Sequence, residues 1–138
     1  MQKTNPISNK EIKRAWHLVD AKGKILGRLA SQIALLLMGK NKPYFVRHLD
    51  CGDHVVVINA SQIIVSGKKE KNKMYSRHSG YPGGYKSTSL EKVRIENPLL
   101  IMQKAVKGML PQNKLRDRML TRLYLFKESE HSFGAKFS

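Results

Sequence analysis

The sequence predicts an α/β fold, a single domain in which helices flank a central, largely parallel β-sheet, with a basic, glycine-rich extension. Three observations favour it. A chain of 138 residues has the usual length of one domain. The uninterrupted β-branched run Val55 to Ile58 is typical of a strand covered on both faces. Amphipathic helical patterns lie on both sides of that run, as in sheets whose parallel strands alternate with helices.

Two short elements are predicted before the first long helix. Ser8 and Glu11 have the spacing of a capping box, which predicts a short opening helix. Residues 16–19 predict a brief strand that ends at the turn-like segment 20–23. Residues 1–15 are therefore expected to form an N-terminal extension.

A long helix is predicted over residues 26–38. Its apolar residues recur at helical spacing: Leu26, Leu29, Ala30, Ile33, Leu36 and Leu37. Leu35 would widen this stripe, so the helix is expected to be mostly buried, with Arg28 and Gln32 on its exposed side. Gly39 suits the C-terminal cap of the helix.

The second half begins with a basic excursion over residues 66–86, which follows a short apolar segment at 63–65. The excursion contains four glycines, six lysines or arginines and one acid, Glu70. A hairpin is expected around Met74 to Arg77. The composition indicates an extension from the domain rather than part of its core.

Two helices are predicted after the excursion. Thr88 and Glu91 form a second capping box. Asn97 followed by Pro98 gives an N-cap with proline at the first helical position, for a helix that continues to Lys107 and is closed by Gly108. Helical spacing assigns four of its residues to the core: Leu99, Met102, Ala105 and Val106. Its lysines are expected to point elsewhere: Lys104 and Lys107.

The chain is expected to end with one more helix, a strand and a tail. Pro111 breaks the preceding helix, and residues 114–122 have a helical pattern. Residues 123–126 predict a last strand. The polar tail 127–138 is expected to be frayed.

The charge balance predicts a polyanionic partner. Lys and Arg total 26 against 10 acids, which gives a formal net charge of +16 and a pI near 10.2. So much charge of one sign in a small domain repels itself unless an anion neutralises it. Nucleic acid is the favoured partner because its phosphates are closely spaced. An anionic membrane surface is the alternative.

Cysteine use and hydropathy favour an intracellular protein. Cys51 is the only cysteine, so an intrachain disulfide is excluded and a reducing compartment fits best. The most apolar stretch, residues 25–38, is interrupted by Arg28 and Gln32 and is shorter than the roughly 20 residues that span a bilayer. The first fifteen residues lack a secretory apolar core, and Glu11 argues against an organellar presequence.

The basic excursion is the first candidate RNA-contacting segment. Among its glycines it mixes cations and aromatic residues: Lys68, Lys69, Lys71, Lys73, Tyr75, Arg77, His78, Tyr81 and Tyr85. Cations neutralise phosphates, tyrosine rings stack on unpaired bases, and glycines allow the main chain to approach a sugar–phosphate backbone. The alternative is a solvated, mobile loop.

A second basic cluster lies near the C-terminus: Lys104, Lys107, Lys114, Arg116, Arg118 and Arg122. In a helix over 114–122, Lys114, Arg118 and Arg122 would share one face. Like charges stacked in this way destabilise an isolated helix, so an anionic partner is the simplest explanation. The alternative is a solvated face on which Asp117 relieves some of the repulsion.

Metal and enzyme chemistry are weaker alternatives. His48, Cys51 and His54 are spaced three apart, with Asp50 and Asp53 between them, and such groups can bind zinc. A structural turn at 50–53 is the favoured interpretation. No dinucleotide-binding, phosphate-loop or nucleophile-elbow motif is present, and the scattered acids form no evident pair. The sequence therefore predicts no enzyme, no cofactor and no small-molecule substrate.

Several strings resemble the large-subunit ribosomal protein thirteen family of the bacterial or organellar type. The segment 16–23 leading into Leu26-Gly27-Arg28-Leu29-Ala30 is similar to its N-terminal signature. So are Gly39-Lys40, the segment 48–53 and, in the glycine-rich region, the segment 78–84. The most specific match is Ala105-Val106-Lys107-Gly108-Met109-Leu110-Pro111. The resemblance extends from about residue 16 to 130.

The resemblance implies contact with large-subunit ribosomal RNA, a part in early subunit assembly, and neighbouring ribosomal proteins. It implies a ribosomal location, in the cytoplasm or in an organelle. An RNA-binding translational regulator acting off the ribosome is the competing hypothesis. The residues expected to contact RNA are the following: Arg28, Lys40, Lys42, Lys68, Lys69, Lys71, Lys73, Tyr75, Arg77, His78, Gly80, Gly83, Gly84, Lys86, Lys104, Lys107, Lys114, Arg116, Arg118 and Arg122.

Overall fold

The computed structural model describes residues 9–136 and shows an α/β fold. Its three-stranded sheet contains β1 (Trp16–Asp20), β2 (His54–Ile58) and β5 (Leu123–Leu125), in the order β1-β2-β5. Both pairings are parallel. The central strand β2 has its three valines fully buried, as its uninterrupted β-branched run predicts. The predicted fold class is therefore confirmed.

The described residues also form five α-helices. They are α1 (Leu26–Met38), α2 (Lys69–Asn72), α3 (Leu90–Glu96), α4 (Pro98–Met109) and α5 (Leu115–Leu120), of which α1 and α4 share a core with this sheet. The core lies where α1 and α4 meet the sheet, and its fully buried residues include Ile33, Leu37, Val55, Val57, Ile101, Met102 and Val106. Leu99 and Ala105 are partly buried against the same core, and Lys104 and Lys107 are exposed. The predicted two faces of α4 are therefore confirmed.

The prediction that the C-terminal tail is frayed is wrong for its described part. The Phe133 ring packs against Tyr124 at 4.4 Å and against Trp16 at 5.2 Å between ring centroids. Trp16 also stacks on His54 at 4.2 Å. This aromatic cluster covers the face of the sheet that the helices leave open. The main-chain amide of Asn59 donates to the Glu128 carbonyl at 3.1 Å and fixes the start of the tail.

Helix α1 has the predicted boundaries and C-cap. Gly39 has a φ of 76°, and its N–H donates to the Leu35 carbonyl, which is the left-handed cap that glycine favours. The predicted burial of Leu35 is wrong, because its side chain is 44% exposed. The buried stripe of α1 is therefore narrower than its apolar composition indicates.

The basic excursion forms helix α2 and a hairpin. Strands β3 (Met74–His78) and β4 (Tyr85–Ser89) pair antiparallel, so the predicted hairpin is present, but residues 74–77 form only its first strand. Strand β4 extends beyond residue 86, and α2 was not predicted. The Arg94 side chain ties the excursion to α3. It donates to both Glu70 carboxylate oxygens, at 2.6 and 3.0 Å, and to the Ile63 carbonyl at 2.8 Å.

Several predicted helix ends are shifted. Ser89 rather than Thr88 is the N-cap of α3, and its hydroxyl accepts from the Lys92 amide. Pro98 is at the start of α4 as predicted, but the Asn97 side chain makes no capping hydrogen bond. Helix α4 continues through Gly108 instead of ending there. Ser8, half of the first predicted capping box, lies outside the described residues, and a 3-10 helix occupies Asn9–Glu11.

None of the helices in the described part of the chain combines the length and apolar character needed to cross a bilayer.

Candidate nucleic-acid interface

The turn Asp50–Asp53 is the centre of a buried ionic network. The carboxylate of Asp53, itself 3% exposed, accepts from Lys42 Nζ at 2.6 Å and from the Ala15 amide at 3.0 Å, and lies 2.7 Å from His17 Nε2. Burial raises the pKa of Asp53, but the bonds from Lys42, His17 and Ala15 outweigh it and hold the pKa below 3.8. Asp53 therefore stays ionised and fixes the strand β1 beside the turn.

Arg122 belongs to the same network, so the prediction that it faces outward with Lys114 and Arg118 is wrong. Helix α5 ends at Leu120, and the Arg122 side chain is only 7% exposed. Its guanidinium donates to the Asp50 carboxylate and to the Leu37 carbonyl, the latter at 3.1 Å. Burial lowers the pKa of Arg122, while the Asp50 charge opposes that shift. Arg122 is a structural residue that joins α1, the turn and β5.

Lys42 is also engaged inside the protein. Besides its ion pair with Asp53, its ammonium group donates to the Lys13 carbonyl at 2.5 Å, and the side chain is 13% exposed. The prediction that Lys42 is an outward cation is therefore wrong. Its charge is already neutralised within the turn network.

The turn at 50–53 is structural, as the favoured interpretation held. Cys51 is fully buried, and a Cβ added at Gly52 would lie 1.6 Å from the Leu37 carbonyl oxygen, so only glycine fits. The His54 ring stacks on Trp16 in the aromatic cluster. Within residues 9–136, no group of three or more histidine, cysteine or acidic side chains is arranged to hold a metal ion.

The remaining predicted cations are at least partly exposed. None of them makes an ion pair with a carboxylate in the described part of the chain: Arg28, Lys40, Lys68, Lys69, Lys71, Lys73, Arg77, Lys86, Lys104, Lys107, Lys114, Arg116 and Arg118. We call this set the unpaired cations. Their charges are therefore available to an external anion.

The hairpin places two of the unpaired cations directly opposite each other. Arg77 in β3 is in register with Lys86 in β4, and like charges in that position destabilise an isolated sheet. Both line a depression of about 270 Å³ together with His78, Ser79 and Gly84. An anion in this depression would convert the repulsion into attraction.

The loop of the hairpin requires glycine. Gly80 and Gly83 have φ values of 88° and 73°, so the prediction that at least one of the three glycines adopts a positive φ is confirmed. A Cβ at Gly84 would lie 2.9 Å from the Tyr81 carbonyl oxygen. Tyr81 in the loop and Tyr85 at the start of β4 are 75% and 62% exposed.

The environment of Tyr75 differs from the one predicted. Its ring packs against the core, and two ammonium groups lie near the ring centroid, Lys104 Nζ at 4.9 Å and Lys73 Nζ at 5.8 Å. Burial raises the pKa of its hydroxyl. Tyr75 therefore positions two lysines by cation–π contact instead of offering a free stacking surface.

The structure gathers some of the unpaired cations and separates others. Arg28, Lys69, Lys73 and Lys104 line one groove of about 560 Å³ between α1, α2 and α4. Lys40 lines another groove of about 440 Å³ with Arg47, which the sequence analysis did not select. Arg47 immediately precedes the segment 48–53 that resembles the family, and that position was the signal for it. The exposed Lys107, Lys114 and Arg118 line neither groove.

Comparison with known proteins identifies the family. The family model described as ribosomal protein L13 matches residues 14–132. The chain belongs to the ribosomal protein L13 family. This membership confirms the suspected resemblance and makes the protein a ribosomal component rather than an enzyme, as predicted. The L13 match covers the sheet, the turn network, the hairpin and all five helices.

Relatives from several bacteria support the same assignment. Large ribosomal subunit protein uL13 of Macrococcus caseolyticus is 45% identical over 136 residues, which cover 99% of this chain and 94% of the relative. The uL13 proteins of Symbiobacterium thermophilum and Thermosipho africanus are 46% and 48% identical over 136 residues. Both alignments cover 99% of this chain, and they cover 95% and 91% of the two relatives, respectively.

Proposed function

We propose that this L13 family member is a structural constituent of the large ribosomal subunit that binds large-subunit ribosomal RNA through the unpaired cations. The observation that supports this proposal most directly is the partition of charge. The described carboxylates at the turn and at α2 neutralise buried or half-buried cations, whereas the unpaired cations make no ion pair within the described residues. An external polyanion balances the formal charge of +16.

The shape of the cationic regions favours structured RNA. A-form helices have a major groove too deep and narrow for side chains, so proteins bind them through phosphates, 2′-hydroxyls and shape. The unpaired cations are spread over the hairpin, α2, α4 and α5 instead of being concentrated on one base-reading helix. The exposed rings of Tyr81 and Tyr85 offer stacking surfaces for unpaired bases.

The proposed interface retains most of the residues selected from the sequence. It contains the unpaired cations, His78 and the loop glycines Gly80, Gly83 and Gly84, and it leaves out Lys42, Tyr75 and Arg122 because their side chains have internal roles. On the ribosome, in the cytoplasm or in an organelle, the protein joins large-subunit RNA early in assembly and contacts neighbouring ribosomal proteins.

The experiment pairs sucrose-gradient sedimentation with matched variants. The tagged protein is expected to travel with large subunits, and Arg77→Gln/Lys86→Gln is expected to leave part of it at the top of the gradient. Lys22→Gln/Lys92→Gln removes the same charge from exposed positions outside the interface and serves as the control. A wild-type protein that sediments apart from large subunits contradicts the proposal. Equal incorporation of both variants contradicts the role of the hairpin.

An off-ribosome regulator of translation is the second candidate, because the same unpaired cations would serve any structured RNA. The two functions differ in distribution along the gradient. A regulator leaves a substantial fraction of the wild-type protein in RNA-bound complexes smaller than the subunit. A ribosomal constituent alone leaves almost none.

A further inference from the structure

A groove lies between the N-terminus of α1, helix α2 and the end of α4, and four of the unpaired cations line it. Arg28 comes from α1, Lys69 and the C-cap residue Lys73 from α2, and Lys104 from α4. They come from three separate parts of the chain, near residue 28, at 69–73 and at 104, so the fold itself brings four cations to one groove of about 560 Å³. Within the described residues, none of the four is paired with a carboxylate.

The acid nearest in sequence does not neutralise the groove. Glu70 lies between Lys69 and Lys73, but both of its carboxylate oxygens accept from Arg94. Lys73 and Lys104 meanwhile both contact the Tyr75 ring, which places two like charges around one aromatic side chain. This arrangement costs free energy in the isolated protein and is relieved by an anion placed between the four cations.

Two glycines in the groove wall have no structural explanation. Gly27 is in the first turn of α1 and Gly108 is near the end of α4. Neither has a positive φ, and an added Cβ at either would meet no atom within 4 Å. Glycine inside a helix is less favourable than alanine, so packing and backbone geometry both permit a larger residue here. What the glycines preserve is open space in the groove.

We infer that this groove binds a stretch of RNA sugar–phosphate backbone, with its phosphates between Arg28, Lys69, Lys73 and Lys104. Missing side chains at Gly27 and Gly108 let the backbone approach the helix ends closely. The N-terminus of α1 adds favourable polarity, since its N-cap Ile25 provides no side-chain bond and its first turn contains no acid. This inference rests on the proposed RNA binding and assigns a discrete phosphate site to it.

The test separates a built site from a diffuse positive field. Gly108→Leu fills the groove without changing the net charge, and Lys69→Gln/Lys73→Gln/Lys104→Gln removes three groove charges. Lys22→Gln/Lys92→Gln/Lys127→Gln removes three exposed charges elsewhere and is the matched control. Each protein is titrated with deproteinised bacterial large-subunit ribosomal RNA between about 50 and 200 mM salt. Melting curves of the free proteins establish that each variant is folded.

The expected result is a change in salt dependence that follows the groove and not the net charge. The groove triple variant should lose about three units of slope in log affinity against log salt, one per phosphate contact. Gly108→Leu should lose a similar slope and melt no earlier than the wild type, because leucine favours a helix more than glycine does. The control triple variant should keep the wild-type slope to within about one unit.

Two results overturn the inference while leaving RNA binding intact. One is a folded Gly108→Leu protein that binds RNA with the wild-type slope, and the other is a control that loses as much slope as the groove triple variant. Failure of the wild-type protein to bind this RNA contradicts the proposed function instead. Tripolyphosphate is tested separately on the free protein. One possible outcome is that it raises the melting temperature of the wild type but not that of Gly108→Leu, while Gly108→Leu binds RNA like the wild type. In that case the groove binds a free phosphate compound and the RNA assignment is wrong.

Discussion

Replacing Arg122 and Arg118 with glutamine tests the division between structural and external cations. Arg118 and Arg122 are four residues apart but have opposite environments. Arg122 is 7% exposed and bonded to Asp50 and Leu37, whereas Arg118 is exposed and unpaired within the described residues. Arg122→Gln leaves the Asp50 carboxylate, whose side chain is 11% exposed, without its closest cation.

The expected loss of stability is large enough to measure in a thermal melt. Breaking a buried ion pair by removing one partner typically costs about 3–5 kcal/mol. Arg14 lies 3.7 Å from the same Asp50 oxygen and offsets part of that cost, so about 3 kcal/mol is expected for Arg122→Gln. Unfolding entropies of about 2 cal/mol/K per residue convert this into a melting temperature lower by about 10 °C.

Arg118→Gln is the matched control. Surface substitutions away from packed features usually change stability by less than about 0.5 kcal/mol, or about 2 °C here. In RNA titrations below the melting range, Arg118→Gln should flatten the salt dependence by about one unit. Arg122→Gln should leave that slope unchanged. A variant of Arg122 that melts like the wild type but binds RNA weakly would refute the assignment of Arg122 to the interior.

Three further predictions address individual residues. Because the folded-state pKa of Asp53 lies below 3.8, its ion pairs stabilise the protein above that pH and lose their effect as pH falls through the folded value. Urea unfolding of Asp53→Asn should therefore show a lower stability at pH 7 and a weaker loss on acidification than the wild type; equal acid sensitivity contradicts this. Gly108→Ala should raise the free energy of unfolding by about 0.5–1 kcal/mol, since its Cβ meets open space in a helix, and a lower melting temperature would contradict that. Gly83→Val places a β-branched residue at a φ of 73° and should impair incorporation into subunits with little change in melting temperature. The control Ser87→Val should change neither the incorporation nor the melting temperature.

Regular elements were predictable because their signals are local. The period of Leu26, Leu29, Ile33 and Leu37 follows from one face of one helix, and the valines of β2 follow from burial on both faces of one strand. The hairpin glycines belong to the same class, since a positive φ is a property of a single residue. These predictions required no knowledge of which elements are neighbours.

The environment of each charged residue could not be predicted in the same way. From the sequence, Arg122 continues a helical face begun at Lys114, but β5 pairs with β2 from Leu123 onward and ends the helix earlier. The partners of its guanidinium then come from residues 72 and 85 positions away. Phe133 is similar, because its packing on Trp16 depends on the sheet leaving one face uncovered.

The separation of paired and unpaired cations links RNA binding to stability. Asp50, Asp53 and Glu70 neutralise cations that the fold needs inside, and the other seven acids are far fewer than the remaining lysines and arginines. The free protein therefore retains repulsion at the groove and across the Arg77–Lys86 pair. An anion that occupies these places removes the repulsion only in the folded state, because unfolding disperses the cations. RNA binding and folding must then stabilise each other by mass action, and the same cations that weaken the isolated protein strengthen it within the ribonucleoprotein.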